Sequence, residues 1–181
     1  MGLMISRQFV KLMGGDIEVE SRLGEGSQFR FSVAVQSGCS QPVHSSGARF
    51  TRYAGERRSV LVVDDIEANR AVLRDMLGEL HFEVIEAANG EEALRAAQLR
   101  RPDIILMDVY MPEMDGLEVI RRLRGIPGLS AVPVIAVSAS ASHSDAATCL
   151  AAGANGFLPK PLVESDLLGE IGSLLRLQWI A

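Results

Sequence analysis

The sequence is poor in cysteine and in basic charge, and it has no long apolar run. Its two cysteines, Cys39 and Cys149, have neither the paired spacing of a disulfide framework nor a metal-site pattern, which favours reduced thiols in a cytoplasm. A net charge of −5 argues against direct nucleic-acid binding, which usually requires a basic face. No run is long enough to cross a bilayer. The 48% hydrophobic and 23% charged composition instead predicts a well-packed cytoplasmic domain.

From residue 59 onwards, short apolar runs alternate with amphipathic stretches. The apolar runs predict five strands, at 60–63, 83–87, 104–107, 132–137 and 156–159. The amphipathic stretches predict five helices, at 67–80, 91–99, 116–124, 142–152 and 164–177. Repeated strand–helix units imply a parallel sheet with helices on both faces. The predicted fold class is therefore α/β, a flavodoxin-like, doubly wound five-stranded parallel sheet of order 2-1-3-4-5.

Acidic, hydroxyl and basic residues end four of these strands. Asp64 and Asp65 follow the first strand, Asp108 the third, Ser138 the fourth and Lys160 the fifth. In this sheet order the first and third strands are neighbours at the switch point, where open α/β sheets bind ligands. Three carboxylates in one crevice would raise one another's pKa values, and such hard oxygen ligands suit Mg²⁺. With a hydroxyl and a lysine as donors beside them, the set predicts that Asp108 accepts a phosphoryl group.

The whole set resembles the response-regulator receiver domain. The matching elements are the acidic pair at 64–65, Asp108 with Met-Pro-x-Met-Asp-Gly at 111–116 behind it, Ser-Ala at 138–139, and Lys-Pro at 160–161. Each element alone is weak, but the complete set in this order, with each member at a strand end, is specific. The resemblance spans residues 58–181 and leaves Asp115 and Gly116 as a turn.

The resemblance implies roles for the acids. Asp108 is the residue that a histidine kinase phosphorylates in this family. Asp65, Asp108 and the backbone carbonyl of Tyr110 would bind Mg²⁺ directly, whereas Asp64 would act through water. An aspartate-nucleophile phosphatase is an alternative, but that class places its general acid at the position of Tyr110, and tyrosine does not suit that role.

The resemblance also implies a switch. Ser138 would hydrogen-bond the phosphoryl group and Lys160 would pair with it, next to a cis bond to Pro161. Phe157 would rotate in response and carry the change to the last helices. Ser138 and Phe157 replace the commoner threonine and tyrosine of the family, and both replacements occur within it.

The first 36 residues carry a different pattern. They predict a helix over 1–13 and a β-hairpin whose strands, 16–21 and 28–35, flank a glycine-rich turn. Such a short segment cannot bury its apolar faces alone. Its sequence resembles the end of a histidine-kinase ATP-binding domain, without that domain's asparagine-bearing helix, Asp-x-Gly box and lid. No complete ATP site is therefore expected. An unrelated amphipathic helix and hairpin is the alternative.

Residues 37–57 are rich in small polar residues, proline and glycine, and predict a linker. The order 1–36 kinase remnant, 37–57 linker and 58–181 receiver is that of the C-terminal part of a hybrid sensor histidine kinase. The expected partners are a histidine kinase or a histidine-phosphotransfer protein, with no membrane segment in this chain. The hairpin and the last helices are candidate surfaces for a homodimer. This chain is not expected to be an enzyme. A stand-alone receiver acting as a phosphorylation-switched interaction module is the other interpretation.

Overall fold

The structure is a computed structural model, and it describes residues 7, 10, 11, 14–22, 26–32, 50–139 and 142–180, with residue 143 by its backbone alone. The chain divides into two compact units, Met1–Ser46 and Gly47–Ala181. Cys39 and residues 37–49 of the predicted linker lie outside the described residues, so the domain bounds stay predictions. Within the described ranges, no helix combines the length and apolar character that crossing a bilayer requires.

The first unit contains the predicted β-hairpin. Its strands β1 (Asp16–Arg22) and β2 (Gly26–Ser32) pair antiparallel, with Val19 opposite Phe29. Val19, Phe29 and Phe31 share one face because directly opposed residues and alternate residues of a strand point the same way, and all three are exposed. Of the predicted helix over 1–13, residues 7, 10 and 11 are described and are helical. The rest of that helix and the hairpin's predicted end at 33–35 lie outside the described residues.

The second unit is an α/β fold. Its elements are β3 (Arg52–Tyr53), β4 (Ser59–Val63), α1 (Glu67–Glu79), β5 (Glu83–Ala87), α2 (Gly90–Arg100), β6 (Ile104–Asp108), α3 (Gly116–Gly125), β7 (Val134–Ser138), α4 (His143–Ala152), β8 (Gly156–Pro159), α5 (Glu164–Leu175) and β9 (Trp179–Ile180). The main sheet is parallel, with the order β5-β4-β6-β7-β8. This order is the predicted 2-1-3-4-5 arrangement, which is confirmed.

Each central strand is buried on both faces, which explains its continuous apolar sequence. On one face, Leu61 and Ile105 pack in a cluster that includes residues of α2, α3 and α4. On the other face, Val62 and Leu106 pack with residues of α1 and α5. The helices therefore cover both sides of the sheet and leave the carboxyl ends of its strands as the place for a ligand site.

A second, two-stranded sheet joins β3 to β9 and was not predicted. Arg52 and Tyr53, which fall within the predicted linker, form β3 and pair with β9, and α5 ends at Leu175 rather than at 177. The reason is aromatic packing: the ring of Phe50 stacks on Trp179 with centroids 5.1 Å apart, and Tyr53 is buried with its ring 4.6 Å from that of Phe82. These rings outweigh the polar composition around them.

Candidate functional site

The carboxyl ends of β4 and β6 bring the predicted acids together. The two strands are neighbours in the sheet, so Asp64, just after β4, lies near Asp108 at the end of β6. Both side chains are buried, whereas Asp65 is exposed. Each of the three offers a carboxylate oxygen, and these oxygens lie within 4.8 Å of one another. Clustered carboxylates of this kind form a hard-oxygen cation site.

Lys160 bridges the two buried acids. It follows the short strand β8, and its Nζ donates hydrogen bonds to Oδ2 of Asp64 at 2.8 Å and to Oδ2 of Asp108 at 2.7 Å. Its backbone N–H donates to the carbonyl of Ser138 at 2.7 Å, which ties the ends of β7 and β8 together. The peptide bond to Pro161 is cis, as the family resemblance implied. The lysine ammonium thus supplies positive charge between two carboxylates.

Asp108 is the less stabilised of the two buried carboxylates. Burial raises the pKa of Asp108, and the charge of Asp64 raises it further. Lys160 and the backbone N–H of Tyr110, which donates to Asp108 Oδ1 at 3.1 Å, oppose this shift without cancelling it. For Lys160, burial lowers the pKa but the two carboxylates more than compensate, so its pKa is raised. The lysine therefore remains charged at neutral pH.

Asp64 is held more firmly. Burial alone would raise its pKa, but hydrogen bonds from Lys160, Ile66 and Asn69 hold the pKa below its usual range. Its Oδ1 accepts from the Ile66 N–H at 2.9 Å, and the Asn69 side chain donates to both carboxylate oxygens at 3.0 Å. A carboxylate offers about four acceptor sites. The donors around Asp64 therefore occupy most of its capacity.

The remaining predicted site residues are Ser138, Tyr110 and Phe157, and they differ in how they relate to Asp64 and Asp108. Ser138 is buried at the end of β7, the strand beside β6. The Tyr110 side chain is exposed, and the backbone N–H of Tyr110 donates to Asp108. Phe157 is half-buried in β8 and packs on the α2–α3–α4 side of the core rather than on the acids.

Residues 60–172 match the response regulator receiver domain family. The chain belongs to that family. Sensor protein EvgS of Escherichia coli is 33% identical over an alignment 183 residues long, which covers 100% of this chain and 15% of EvgS. Sensor histidine kinase AruS of Pseudomonas aeruginosa is 37% identical over an alignment 182 residues long, which covers 96% of this chain and 17% of AruS. The chain therefore spans a small part of these sensor kinases, and its receiver is of the kind found in hybrid sensor kinases.

Solved receiver structures share the fold. The receiver domain of a sensor histidine kinase from Pseudomonas aeruginosa PAO1, which has a magnesium ion in its active-site cleft, is 34% identical with a TM-score of 0.62, covering 67% of this chain and 99% of that domain. The chemotaxis protein CheY4 of Vibrio cholerae is 33% identical with a TM-score of 0.63, covering 66% of this chain and 100% of CheY4.

Gly116 and Asn69 support the receiver site in ways that the sequence did not predict. A Cβ atom at Gly116 would collide with the backbone carbonyl oxygen of Asp108, so only glycine lets α3 begin this close to β6. Asp115 caps α3 by accepting the N–H of Glu118 at 2.7 Å, which is the turn role expected for it. The hydrogen bonds from Asn69, in the first turn of α1, to Asp64 were not predicted, because the apolar stripe of that helix does not indicate what its polar residues contact. The short separation of five residues between Asp64 and Asn69 could have indicated this contact.

A groove runs from the acids of the receiver between α1 and α5. Its volume is about 550 Å³, and Asp108 and Lys160 line one end. Mainly apolar side chains line the rest, among them Val72, Leu73, Met76, Leu162 and Leu167. Val72 of α1 is more than half exposed, as are Ile66 and Val163, which immediately precede α1 and α5. The groove offers apolar surface that leads directly to the buried carboxylates.

Proposed function

We propose that this chain is the phosphoacceptor module of a two-component phosphorelay, with Asp108 as the residue that carries the phosphoryl group. The observation that supports this most is the Lys160 ammonium held between Asp64 and Asp108. A cation fixed beside a buried carboxylate is placed to pair with a new anionic group on that carboxylate. Phosphoryl transfer depends on such positioning and charge stabilisation rather than on covalent chemistry by many residues.

The acidic cluster also fits Mg²⁺, because its three carboxylates bring oxygens within 4.8 Å of one another. Asp65, Asp108 and the backbone carbonyl of Tyr110 would hold the ion. Asp64 would act through water, since its oxygens already accept hydrogen bonds from Ile66, Asn69 and Lys160. When bound, Mg²⁺ neutralises carboxylate charge and the charge of the phosphoryl oxygens.

The transfer step follows from these contacts. A carboxylate oxygen of Asp108 forms an O–P bond while the N–P bond of a phosphohistidine breaks, and the electron pair of that bond returns to the imidazole nitrogen. The ring leaves as neutral imidazole because its other nitrogen carries a proton. Lys160 then donates to a phosphoryl oxygen instead of to Asp108. The hydroxyl of Ser138 donates to another oxygen of the same group. Reversal of the step onto a second histidine, or attack by water, empties the site.

The phosphoryl group would also bias a conformational equilibrium. Drawing the Ser138 hydroxyl toward Asp108 changes the end of β7, and Phe157 lies on β8, which pairs with β7. Rotation of the half-buried Phe157 ring would carry the change to the surface of α4 and α5. A coupling of about 1–3 kcal/mol is typical for such switches and is sufficient.

The histidine-bearing partner would approach along the groove between α1 and α5. The exposed Ile66, Val72 and Val163 provide apolar contacts near Asp108, and an apolar groove accommodates one face of an amphipathic helix. The partner is therefore a histidine kinase or a histidine-phosphotransfer protein whose phosphorylated histidine lies on a helix.

The wider context is a hybrid sensor histidine kinase. In this proposal residues 1–36 are the last strands of its ATP-binding domain, 37–57 a linker and 58–181 the receiver, all on the cytoplasmic side. Relatives that align over nearly the whole chain are sensor kinases, which supports this origin. The chain itself would catalyse only its own phosphorylation and dephosphorylation. The exposed face of the hairpin and the last helices remain candidate surfaces for a homodimer.

Acetyl phosphate labelling with Mg²⁺ tests the acceptor. Intact mass measurement should show one added phosphoryl group on the wild type and none on Asp108→Asn. Asp115→Asn is the matched control, because it removes an exposed acid from the same loop and asparagine still caps a helix. It should be labelled like the wild type. Labelling of Asp108→Asn would place the acceptor elsewhere, and beryllofluoride that left the amide signals around Asp108 unchanged would contradict the site.

A further inference from the structure

Arg70 binds the backbone of the acidic loop. It lies in the first turn of α1, and its Nη1 donates to the backbone carbonyl oxygen of Asp64 at 2.6 Å. Only 14% of its side chain is exposed. We propose that Arg70 is a positioning residue that orients the carboxylate of Asp65 for Mg²⁺. This inference rests on the proposed function, because Asp65 is proposed there as a direct ligand of that ion.

The connection between Arg70 and Asp65 is a single peptide group. The carbonyl oxygen of Asp64 and the N–H of Asp65 belong to the same planar unit and turn together. A hydrogen bond that fixes this oxygen therefore fixes the Asp65 N–H and the Asp65 Cα, from which the side chain projects. Because Asp65 is exposed, its direction depends mainly on the backbone that carries it.

Glu86 holds the guanidinium of Arg70 in place. Arg70 Nε lies 3.6 Å from Glu86 Oε2, and Arg74 Nη1 donates to Glu86 Oε1 at 3.0 Å. Glu86 belongs to β5 and pairs with Val62 of β4, the strand that leads into the acids. The rigid fork of arginine lets one residue contact the carboxylate and the carbonyl at once, whereas lysine has a single nitrogen. The neighbouring strand thereby fixes the acidic loop through Arg70.

Charge and positioning predict effects of opposite sign, which makes the proposal testable. A guanidinium near a cation site repels Mg²⁺, so removal of its charge alone would tighten Mg²⁺ binding. Loss of a residue that orients a metal ligand weakens binding instead, typically by about 10- to 100-fold.

The test is an Mg²⁺ titration of the full 181-residue chain, monitored through the amide NMR signals of the loop around Asp65. Arg70→Gln should raise the Mg²⁺ Kd roughly tenfold, which corresponds to about 1.4 kcal/mol. Arg70→Lys keeps the charge and the apolar stem, so it removes the guanidinium fork with less disturbance of the fold. It should also raise the Mg²⁺ Kd. The matched control is Arg74→Gln, which removes a like charge from the same helix and a bond to the same Glu86. Its Kd should stay within about twofold of the wild type, well below the tenfold step.

Metal-free spectra supply a second readout that does not depend on Mg²⁺. The Asp65 amide signal should shift in both Arg70 variants and stay in place in Arg74→Gln. A wild-type or tighter Kd in both Arg70 variants would overturn the inference, as would an equal loss in Arg74→Gln, which would assign the effect to Glu86. Failure of the wild type itself to bind Mg²⁺ at this loop would instead overturn the proposed function.

Discussion

The Nζ atom of Lys160 lies 2.7 Å from Oδ2 of Asp108. The same ammonium also bonds Asp64, so one cation compensates two buried carboxylates. Removing one partner of a buried ion pair is strongly destabilising, because the other charge is left without compensation. A metal ion that enters the site supplies the same kind of compensation. The lysine and the metal should therefore contribute to stability in a partly interchangeable way.

Lys160→Met tests this relationship. Without Mg²⁺ the variant should lose about 3–5 kcal/mol of unfolding free energy, because two buried carboxylates lose their cation. Saturating Mg²⁺ should raise the unfolding free energy of the variant by more than it raises that of the wild type, since the ion no longer competes with the ammonium. Urea denaturation with and without Mg²⁺ measures both increments.

Arg121→Met is the control for Lys160→Met. It removes an exposed cation that pairs with Glu118 on α3, away from the buried carboxylates. It should change stability by less than about 1 kcal/mol, with the same Mg²⁺ increment as the wild type. If Mg²⁺ raised the unfolding free energy of Lys160→Met by no more than that of the wild type, the lysine would not occupy the space of the cation.

The sequence predicted the main sheet and the acidic site well for one physical reason. Parallel strands end at a common edge, so Asp64, Asp108, Ser138 and Lys160, each placed at the end of an apolar run, had to lie near one another. The strand order 2-1-3-4-5 expected of a doubly wound sheet identified the neighbouring strands. No knowledge of side-chain contacts was needed for that step.

The sequence did not predict contacts that depend on backbone direction or on very short strands. Arg70 reaches the carbonyl of Asp64 across a turn, and helical periodicity says nothing about such a bond. The strands β3 and β9 have two residues each, too few for a pattern of alternation. The packing of Phe50 on Trp179 joins segments at opposite ends of the unit, and local composition does not reveal it.

Gly116→Ala should damage both the fold and the site. The new Cβ would collide with the carbonyl oxygen of Asp108, and Met107 is also in close contact, so β6 and α3 must move apart. Overpacking of this kind costs about 1–3 kcal/mol. Urea denaturation should show that loss, and acetyl phosphate labelling of Asp108 should slow because its backbone is displaced.

Gly125→Ala is the matched control on the same helix. Among the described residues, no atom outside the local chain lies within 4 Å of the point that a Cβ atom would occupy there, so we expect the substitution to act as a better helix former near the end of α3. It should stabilise the protein by up to about 1 kcal/mol and leave labelling unchanged. Equal destabilisation by both substitutions would mean that the helix, rather than the contact with Asp108, determines the effect.

Phe50→Ala should loosen the small sheet formed by β3 and β9. Loss of the ring that stacks on Trp179 should cost about 1–3 kcal/mol, below the value for a fully buried ring because Phe50 is only half-buried. Trp179 is the sole tryptophan, so its emission should shift to longer wavelength as water reaches it. Leu99→Ala, at a residue that is 84% exposed, is the control and should alter neither stability nor emission. An unchanged emission in Phe50→Ala would contradict the stack.

Asp103 should make stability depend on pH. Its Oδ2 accepts the N–H of Ser59 at 2.8 Å and its Oδ1 accepts from Arg58 at 3.0 Å, at the beginning of β4. Burial raises the pKa of Asp103, but these donors outweigh burial and hold the pKa below its ordinary value. A carboxyl group with a lowered folded pKa stabilises the protein above its unfolded pKa of about 3.9, and this contribution is lost as the pH falls through the folded value.

Asp103→Asn should therefore cost about 1–3 kcal/mol near neutral pH, because a charged acceptor of several hydrogen bonds is lost. The difference from the wild type should shrink as the pH falls below about 4, where the carboxyl group becomes protonated in the unfolded chain, and should disappear once the pH is below the lowered pKa of the folded state. Urea denaturation at a series of pH values measures the difference. Asp75→Asn, which removes a carboxylate with 73% of its side chain exposed, should show little difference at any pH. A difference for Asp103→Asn that stays constant into acid would mean that shape, and not the charge of Asp103, stabilises this end of the sheet.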